Sequence, residues 1–302
     1  MVEKGEAGEA HRAADDAGAD KRGSDGGLVR LLQLVLLAVI VALALRTFAF
    51  SMFTIPSESM MPGLLPGDTI IAKKWPYGYS SNSLPFDLPL IPGRWFAHQP
   101  QRGDVVIFKH PVDGSDYVKR VIGLPGDTVA VRDGVVILNG EALPKEEAGY
   151  ADIPMSENTG CRSDGGVVVD GTLCRYRQFR ETLPSGKSYL TIDFGDVGPR
   201  FLTDGTGALS MDGNGEPIRI DPDNTEPVIV PEGHLFMMGD NRDNFLDSRF
   251  PAVPDGGVGF VDANLLVGRA SRVLWSTDGS AEWLLPWTWF TAARWNRIGS
   301  DI

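Results

Sequence analysis

Two serines one residue apart, Ser57 and Ser59, lie in the decapeptide TIPSESMMPG, Thr54 to Gly63. A serine hydroxyl is inert as a nucleophile at its free pKa and needs a base beside it. The histidines offer no Ser-His-Asp triad. His11 stands in a polar tail, and His98, His110 and His234 stand in turn-like contexts beside proline or glycine, where solvated loop side chains are expected. GxSxG, HExxH, P-loop and GxGxxG signatures are all absent. Lysine can act as the base instead, provided that it is neutral when substrate arrives.

Of the lysines, Lys4 and Lys21 precede an apolar stretch, Lys73 and Lys74 read as an exposed pair ending a strand, and Lys145 and Lys187 fall in loops or at a turn. Lys119 differs. In DYVKRVIGLPGD, alternation puts Tyr117, Lys119 and Val121 on one strand face and Val118, Arg120 and Ile122 on the other. Both faces are otherwise apolar, so one of Lys119 and Arg120 must point toward protein, and only lysine can shed its proton. Bringing a lysine from ~10.4 to near 7 corresponds to about 4–5 kcal/mol of differential solvation, which an apolar wall can supply. On spacing alone, a lysine whose stem packs while its head reaches water is the better reading.

The elements around these residues read as β. DTIIAKKW and DVVIFKHP are short strands entered from turns, and TVAVRDGVVILNG is a hairpin turning at Asp133-Gly134, with Asn139-Gly140 closing it. CRYRQFRETLPSGKSYLTIDF is a second hairpin, polar on both strands, as a protruding ribbon would be. ANLLVGRASRVLWS is a late strand. High glycine and proline, 36 and 21 in 302 residues, suit many strands joined by turns. With 42% hydrophobic residues the chain can bury one large core or two smaller ones.

Residues 1–27 are polar, without apolar periodicity, and are expected to be disordered. Residues 28–50, including LLQLVLLAVIVALAL, are expected to form one transmembrane helix, with Arg46 snorkelling to the interface. A removable signal would have a basic start and a small-residue cleavage site; an acidic tail and the bulky RTFAFSMF favour an uncleaved anchor. Lys21, Arg22 and Arg30 predict a cytoplasmic tail and an external domain. The tail EWLLPWTWFTAARWNRI holds four of the seven tryptophans, and reads equally as a helix capping the core or as an interfacial segment. A net charge of -12 argues against nucleic-acid partners. Cys161 and Cys174, with no CxxC spacing and no adjacent histidine, argue against a metal site and for one disulfide in an oxidising compartment.

Four blocks, IPSESMMPGLLPGD, RGDVVIFKHP, YVKRVIGLPGD and GDNRDNFLDSR, follow the apolar stretch in this order. Together they make the chain resemble bacterial type I signal peptidase, or leader peptidase, a membrane-anchored Ser-Lys serine protease family. The resemblance implies a mainly β fold, with an antiparallel β catalytic core over 51–145 and 233–275. It also implies an inserted β-ribbon subdomain over 146–232 and a Trp-rich segment over 276–302. It makes Ser59 the nucleophile, Lys119 the general base, and the Ser57 hydroxyl with the Ser59 N–H the oxyanion hole. Phe53, Ile55, Pro56, Met60, Leu64, Tyr117 and Val118 match positions walling small-residue pockets; Asp247 and Arg249 match a bracing pair, with Ser248 as a further hydroxyl. The implied reaction removes signal peptides from secreted preproteins after Ala-x-Ala-type sites, without cofactor or metal. The implied setting is the outer face of the bacterial cytoplasmic membrane, in contact with the bilayer and near the export translocon. In one departure, the family usually has serine where this chain has Phe245. That motivates an alternative, a homologue that binds signal peptides or a partner without cutting. A related self-cleaving regulator would have a helix-turn-helix where this chain has its apolar stretch.

Overall fold

The structure is a computed structural model; it describes residues 27–42, 48–83, 91–203, 208–211, 213–244, 246–282 and 284–302. The chain divides into two units, residues 1–47 and 48–302. In the first, residues 27–42 are helical and expose apolar side chains on every side, among them Leu31, Leu34, Val35 and Ile40. Among the described residues no helix is long and apolar enough to cross a membrane. The span expected over 28–50 runs through residues 43–47, which lie outside the described residues, as do residues 1–26 of the expected tail; its last residue, Phe50, instead opens a strand of the second unit, paired with Lys73.

The second unit is built of strands. Twelve of them carry the fold: β1 (Phe50–Thr54), β2 (Asp68–Lys73), β3 (Val105–Lys109), β4 (Asp116–Gly123), β5 (Thr128–Arg132), β6 (Val135–Leu138), β7 (Lys145–Pro154), β8 (Leu173–Thr182), β9 (Ser188–Ile192), β10 (His234–Met238), β11 (Val261–Asp262) and β12 (Leu266–Ser276). The main sheet has seven strands in the order β1-β2-β12-β3-β4-β10-β11, all pairs antiparallel. Its middle strands are covered on both faces, so VVIF in β3 reads as a continuous apolar run rather than an alternation. Val105 and Ile107 join one core with Ile55, Met60 and Leu64, while Val106 and Phe108 join the opposite core with Val121 and Met237.

The hairpin β5–β6 turns where expected, at Asp133 (φ 48°) and Gly134 (φ 71°). Two consecutive left-handed residues give the twist that matches paired strands. The second hairpin, β8–β9, is also found, but it is not polar on both strands. Cys174, Tyr176 and Glu181 are buried in it, because β8 is flanked by β7 and β9 and turns one face onto the loop after Ser59. Lys74 is likewise buried rather than exposed: its amine donates to the Ser83 carbonyl. His110 is buried too, with Nε2 3.1 Å from the Gly257 carbonyl oxygen, since the strand-ending turn folds inward. Near the C-terminus, Pro286–Thr291 is a single short helix whose Trp287 and Phe290 remain exposed, so those rings do not cap the core. Cys161 and Cys174 are joined in a disulfide.

Candidate active site

Antiparallel pairing sets the site's frame. After β1 the chain runs extended through Ile55, whose N–H donates to the Asp68 carbonyl and whose carbonyl accepts from Gly67 N–H. These two bonds close the loop Pro56–Pro66, with Ser59 in it, at the head of β1–β2. Met60, Met61, Leu64 and Leu65 are all buried beneath that loop, so its apolar residues anchor it while Ser57 stays at the surface. Lys119 arrives from β4, paired opposite Val106 of β3.

Here Ser59 is 4% and Lys119 2% exposed, and Lys119 Nζ donates to Ser59 Oγ at 2.6 Å. Among the described residues this is the amine's one hydrogen bond. Burial pushes the amine down to about 8; the charge of Asp247 opposes the shift and that of Arg249 reinforces it. A neutral amine at this distance can reverse the bond and take the hydroxyl proton. Ser57 Oγ lies 3.3 Å from Ser59 Oγ. The Ser59 N–H has no acceptor among the described residues, leaving it available to a developing negative oxygen.

Beside the pair is a cleft of about 170 Å³ lined by Phe53, Ile55, Pro56, Met60, Tyr117 and Val118, together with Thr54, Ser57, Asp116 and Leu246. Leu64 is not in that lining. It packs one layer deeper, against Ile70 and Val105. Asp247 and Arg249 form a fully buried ion pair, Nη2 to Oδ2 at 2.9 Å and Nε to Oδ1 at 3.0 Å. Arg249 holds the Asp247 carboxyl below its usual range against the opposing effect of burial. Ser248 is engaged elsewhere: its Oγ accepts from Met237 N–H at 2.9 Å, tying two backbones rather than meeting Lys119. Phe245 lies outside the described residues.

Sequence reasoning expected one of Lys119 and Arg120 to face protein. Both do, at 2% and 8% exposure. Arg120 is accommodated by Asp240, which it grips with Nε and Nη2 at 2.7 and 2.6 Å. The segment Gly239–Asn241 was the other omission. Asn241 donates its N–H to the Ser59 carbonyl at 3.1 Å and its Nδ2 to the Glu58 carbonyl at 3.3 Å. A Cβ on Gly239 would stand 2.6 Å from the Ser59 oxygen, so only glycine permits this approach. The GDN tripeptide itself was the available signal.

The chain belongs to the signal peptidase family, peptidase S26, whose model matches residues 28–275. Within that family its curated relatives include proteins named Signal peptidase I. One, from Rickettsia typhi (strain ATCC VR-144 / Wilmington), is 36% identical over 242 residues, 79% of this chain and 77% of its own. Another, from Rickettsia bellii (strain OSU 85-389), is 35% identical over 245 residues, 80% of this chain and 71% of its own. A solved signal peptidase I from Enterococcus faecalis V583 aligns with 57% of this chain and 97% of its own at 23% identity, with a TM-score of 0.26; the fold described above stands on this chain's own geometry.

Proposed function

We propose that this chain is a membrane-anchored endopeptidase that removes N-terminal signal peptides by a Ser-Lys mechanism. The observation that carries the reading is the 2.6 Å approach of the buried Lys119 amine to Ser59 Oγ beside an apolar cleft. With the amine at about 8, about a tenth is neutral at pH 7 without any help from substrate. Substrate that displaces water deepens the desolvation and raises that fraction.

In the proposed reaction neutral Lys119 takes the Ser59 proton as Oγ attacks the scissile carbonyl carbon. The new C–O bond forms while the carbonyl π pair moves onto oxygen, where the Ser59 N–H and the Ser57 hydroxyl receive it. Each such donor contributes a few kcal/mol, about 2.7–4 in other proteases. Protonated Lys119 then gives its proton to the leaving nitrogen as the C–N bond breaks. A water repeats the cycle on the acyl-serine and frees the enzyme. The shallow cleft walled by Phe53, Ile55, Met60 and Val118 suits alanine-sized side chains and excludes larger ones by clash, which supports Ala-x-Ala-type sites. The exposed apolar helix over residues 27–42 supports anchoring, with the catalytic unit on the outer face of the bacterial cytoplasmic membrane, near the export translocon.

Cleavage of a model preprotein by the full chain in detergent tests the reading. Ser59→Ala and Lys119→Ala are each expected to abolish turnover, and normal turnover by either variant refutes the dyad. A preprotein with tryptophan in place of alanine before the scissile bond is expected to resist cleavage. Absence of wild-type turnover would favour the non-cleaving homologue that Phe245 suggests.

A further inference from the structure

The loop that carries Ser59 is held at its far end by a part of the chain beyond residue 275, where the family match stops. Arg297, in the single turn Trp295–Arg297, donates from Nε and Nη2 to the buried Asp68 carboxylate at 3.0 and 2.5 Å. Its Nη2 also donates to the Gly63 carbonyl at 2.9 Å. Asp68 in turn accepts from Leu65 N–H at 2.9 Å, inside the loop. Arg294 donates from Nη1 to the Pro66 carbonyl at 2.8 Å, and from Nη2 to Asn158 Oδ1 at 3.0 Å. Asn158 then donates to the Thr277 carbonyl at 3.0 Å, and Thr277 N–H donates to the Gly67 carbonyl at 3.1 Å.

Between Ser59 and β2 the loop has no ladder partner, and buried backbone groups without partners are costly. Three of its carbonyls, at Gly63, Pro66 and Gly67, are taken by Arg297, Arg294 and Thr277. Gly67 shows how close the two segments run: its φ is +87°, and a Cβ there would lie 2.1 Å from the Thr277 oxygen. The nucleophile's reach to Lys119 therefore depends on a loop whose distal half is clamped from the C-terminal segment. A misplacement of about 1 Å at a reacting group costs on the order of 100-fold in rate.

We propose that Arg294 and Arg297 are positioning residues, which fix the loop Met60–Asp68 and so keep Ser59 at hydrogen-bonding distance from Lys119. This rests on the Ser-Lys reading. Arg297 matters through its planar fork, which spans one carboxylate and one carbonyl at once; lysine supplies only a point charge.

The test uses the full chain in detergent, with kcat and KM on a model preprotein measured separately and amide hydrogen exchange followed by peptide. Arg297→Gln is expected to lower kcat about 10- to 100-fold with KM changed by less than about twofold. Exchange over Met60–Asp68 should quicken by about tenfold or more while β3 and β4 stay protected. Arg297→Lys should fall between, Arg294→Gln should act in the same direction, and Trp287→Ala, which alters the exposed side of the same segment, should match wild type. Wild-type kcat in both glutamine variants would overturn the proposal. So would protection lost evenly over the whole sheet, or its retention in the loop. If Arg297→Gln does not fold, the graded Arg297→Lys variant decides by the same two readouts. Should wild type not cleave at all, the Ser-Lys reading fails separately, and the exchange data alone decide whether the arginines order the loop.

Discussion

Lys119 carries opposing demands in one side chain. Its burial disfavours the ammonium, which makes it a usable base and also destabilises the fold wherever the amine is charged. Because its folded pKa, about 8, lies below the free lysine value, kcat/KM is expected to rise with pH through about 8 as the amine deprotonates. A profile flat from pH 6 to 9 would contradict this. The same shift sets a stability trend. Between about pH 8 and the free lysine value the unfolded chain binds the extra proton, so stability rises with pH there; below about 8 the cost is constant and full. Lys119→Met, of similar length and apolar, is therefore expected to be inactive yet more stable by about 1–3 kcal/mol at pH 6, with a smaller gain at pH 9, by denaturant unfolding. Its neighbours push the amine in opposite senses: Asp247→Asn should move the acid limb of the pH profile down, and Arg249→Met should move it up, because each removes one sign of charge. The alternation of DYVKRVIG was enough to mark Lys119 as a candidate. It could not show that Arg120 is buried as well, because the Asp240 that neutralises it lies 120 positions further along the chain.

At the scale of elements, the site is an intersection of three segments far apart in sequence. β1 and its loop bring the serine, β4 brings the lysine, and β10 pairs with β4 while the residues after it bond the backbone of Ser59. β4 was legible because turns and apolar runs mark strands locally, as the Asp133-Gly134 hairpin shows, whereas FSMFT of β1 read as the end of the apolar stretch before it. The third left only its GDN tripeptide as a signal, since the Ser59 and Glu58 carbonyls that Gly239–Asn241 approaches lie far back in the chain, Glu58 by 183 positions from Asn241. The same limit explains β8: its polar sequence suggested a free ribbon, yet Tyr176 and Glu181 are covered by partners from other elements. Gly239→Ala puts the close approach to the test. The added methyl must displace the Ser59 carbonyl or the β10 end, because 2.6 Å is shorter than any real Cβ contact. A loss of about 100-fold in kcat is expected, with the midpoint of thermal unfolding lowered by only a few degrees. Wild-type kcat in this variant would mean that the segment has slack which the geometry denies.

For the molecule as a whole, the stretch 146–232 is packed into the unit that bears the site. Cys174 and Tyr176 share one core with Met61 and Leu65 of the Ser59 loop, and Tyr176 Oη accepts from the Arg162 N–H next to the disulfide. The Cys161–Cys174 bond, with a sequence separation of 13, thus closes a short loop whose two ends join the core shared with Met61 and Leu65. A cross-link over a loop of this size stabilises by about 3 kcal/mol, chiefly by restricting the unfolded chain. For a unit of 255 residues that corresponds to roughly 5–10 °C in the unfolding midpoint. Cys161→Ser with Cys174→Ser is expected to lower the midpoint by that amount. Near 25 °C the native contacts of Met61 and Leu65 persist, so kcat should stay within about twofold of wild type, and fall away only as the lowered transition is approached. Calorimetry and preprotein cleavage followed over the same temperatures check this. A variant that unfolds like wild type would mean that the bond constrains little, and one that is inactive while fully folded would make the disulfide part of the site's geometry rather than of its stability.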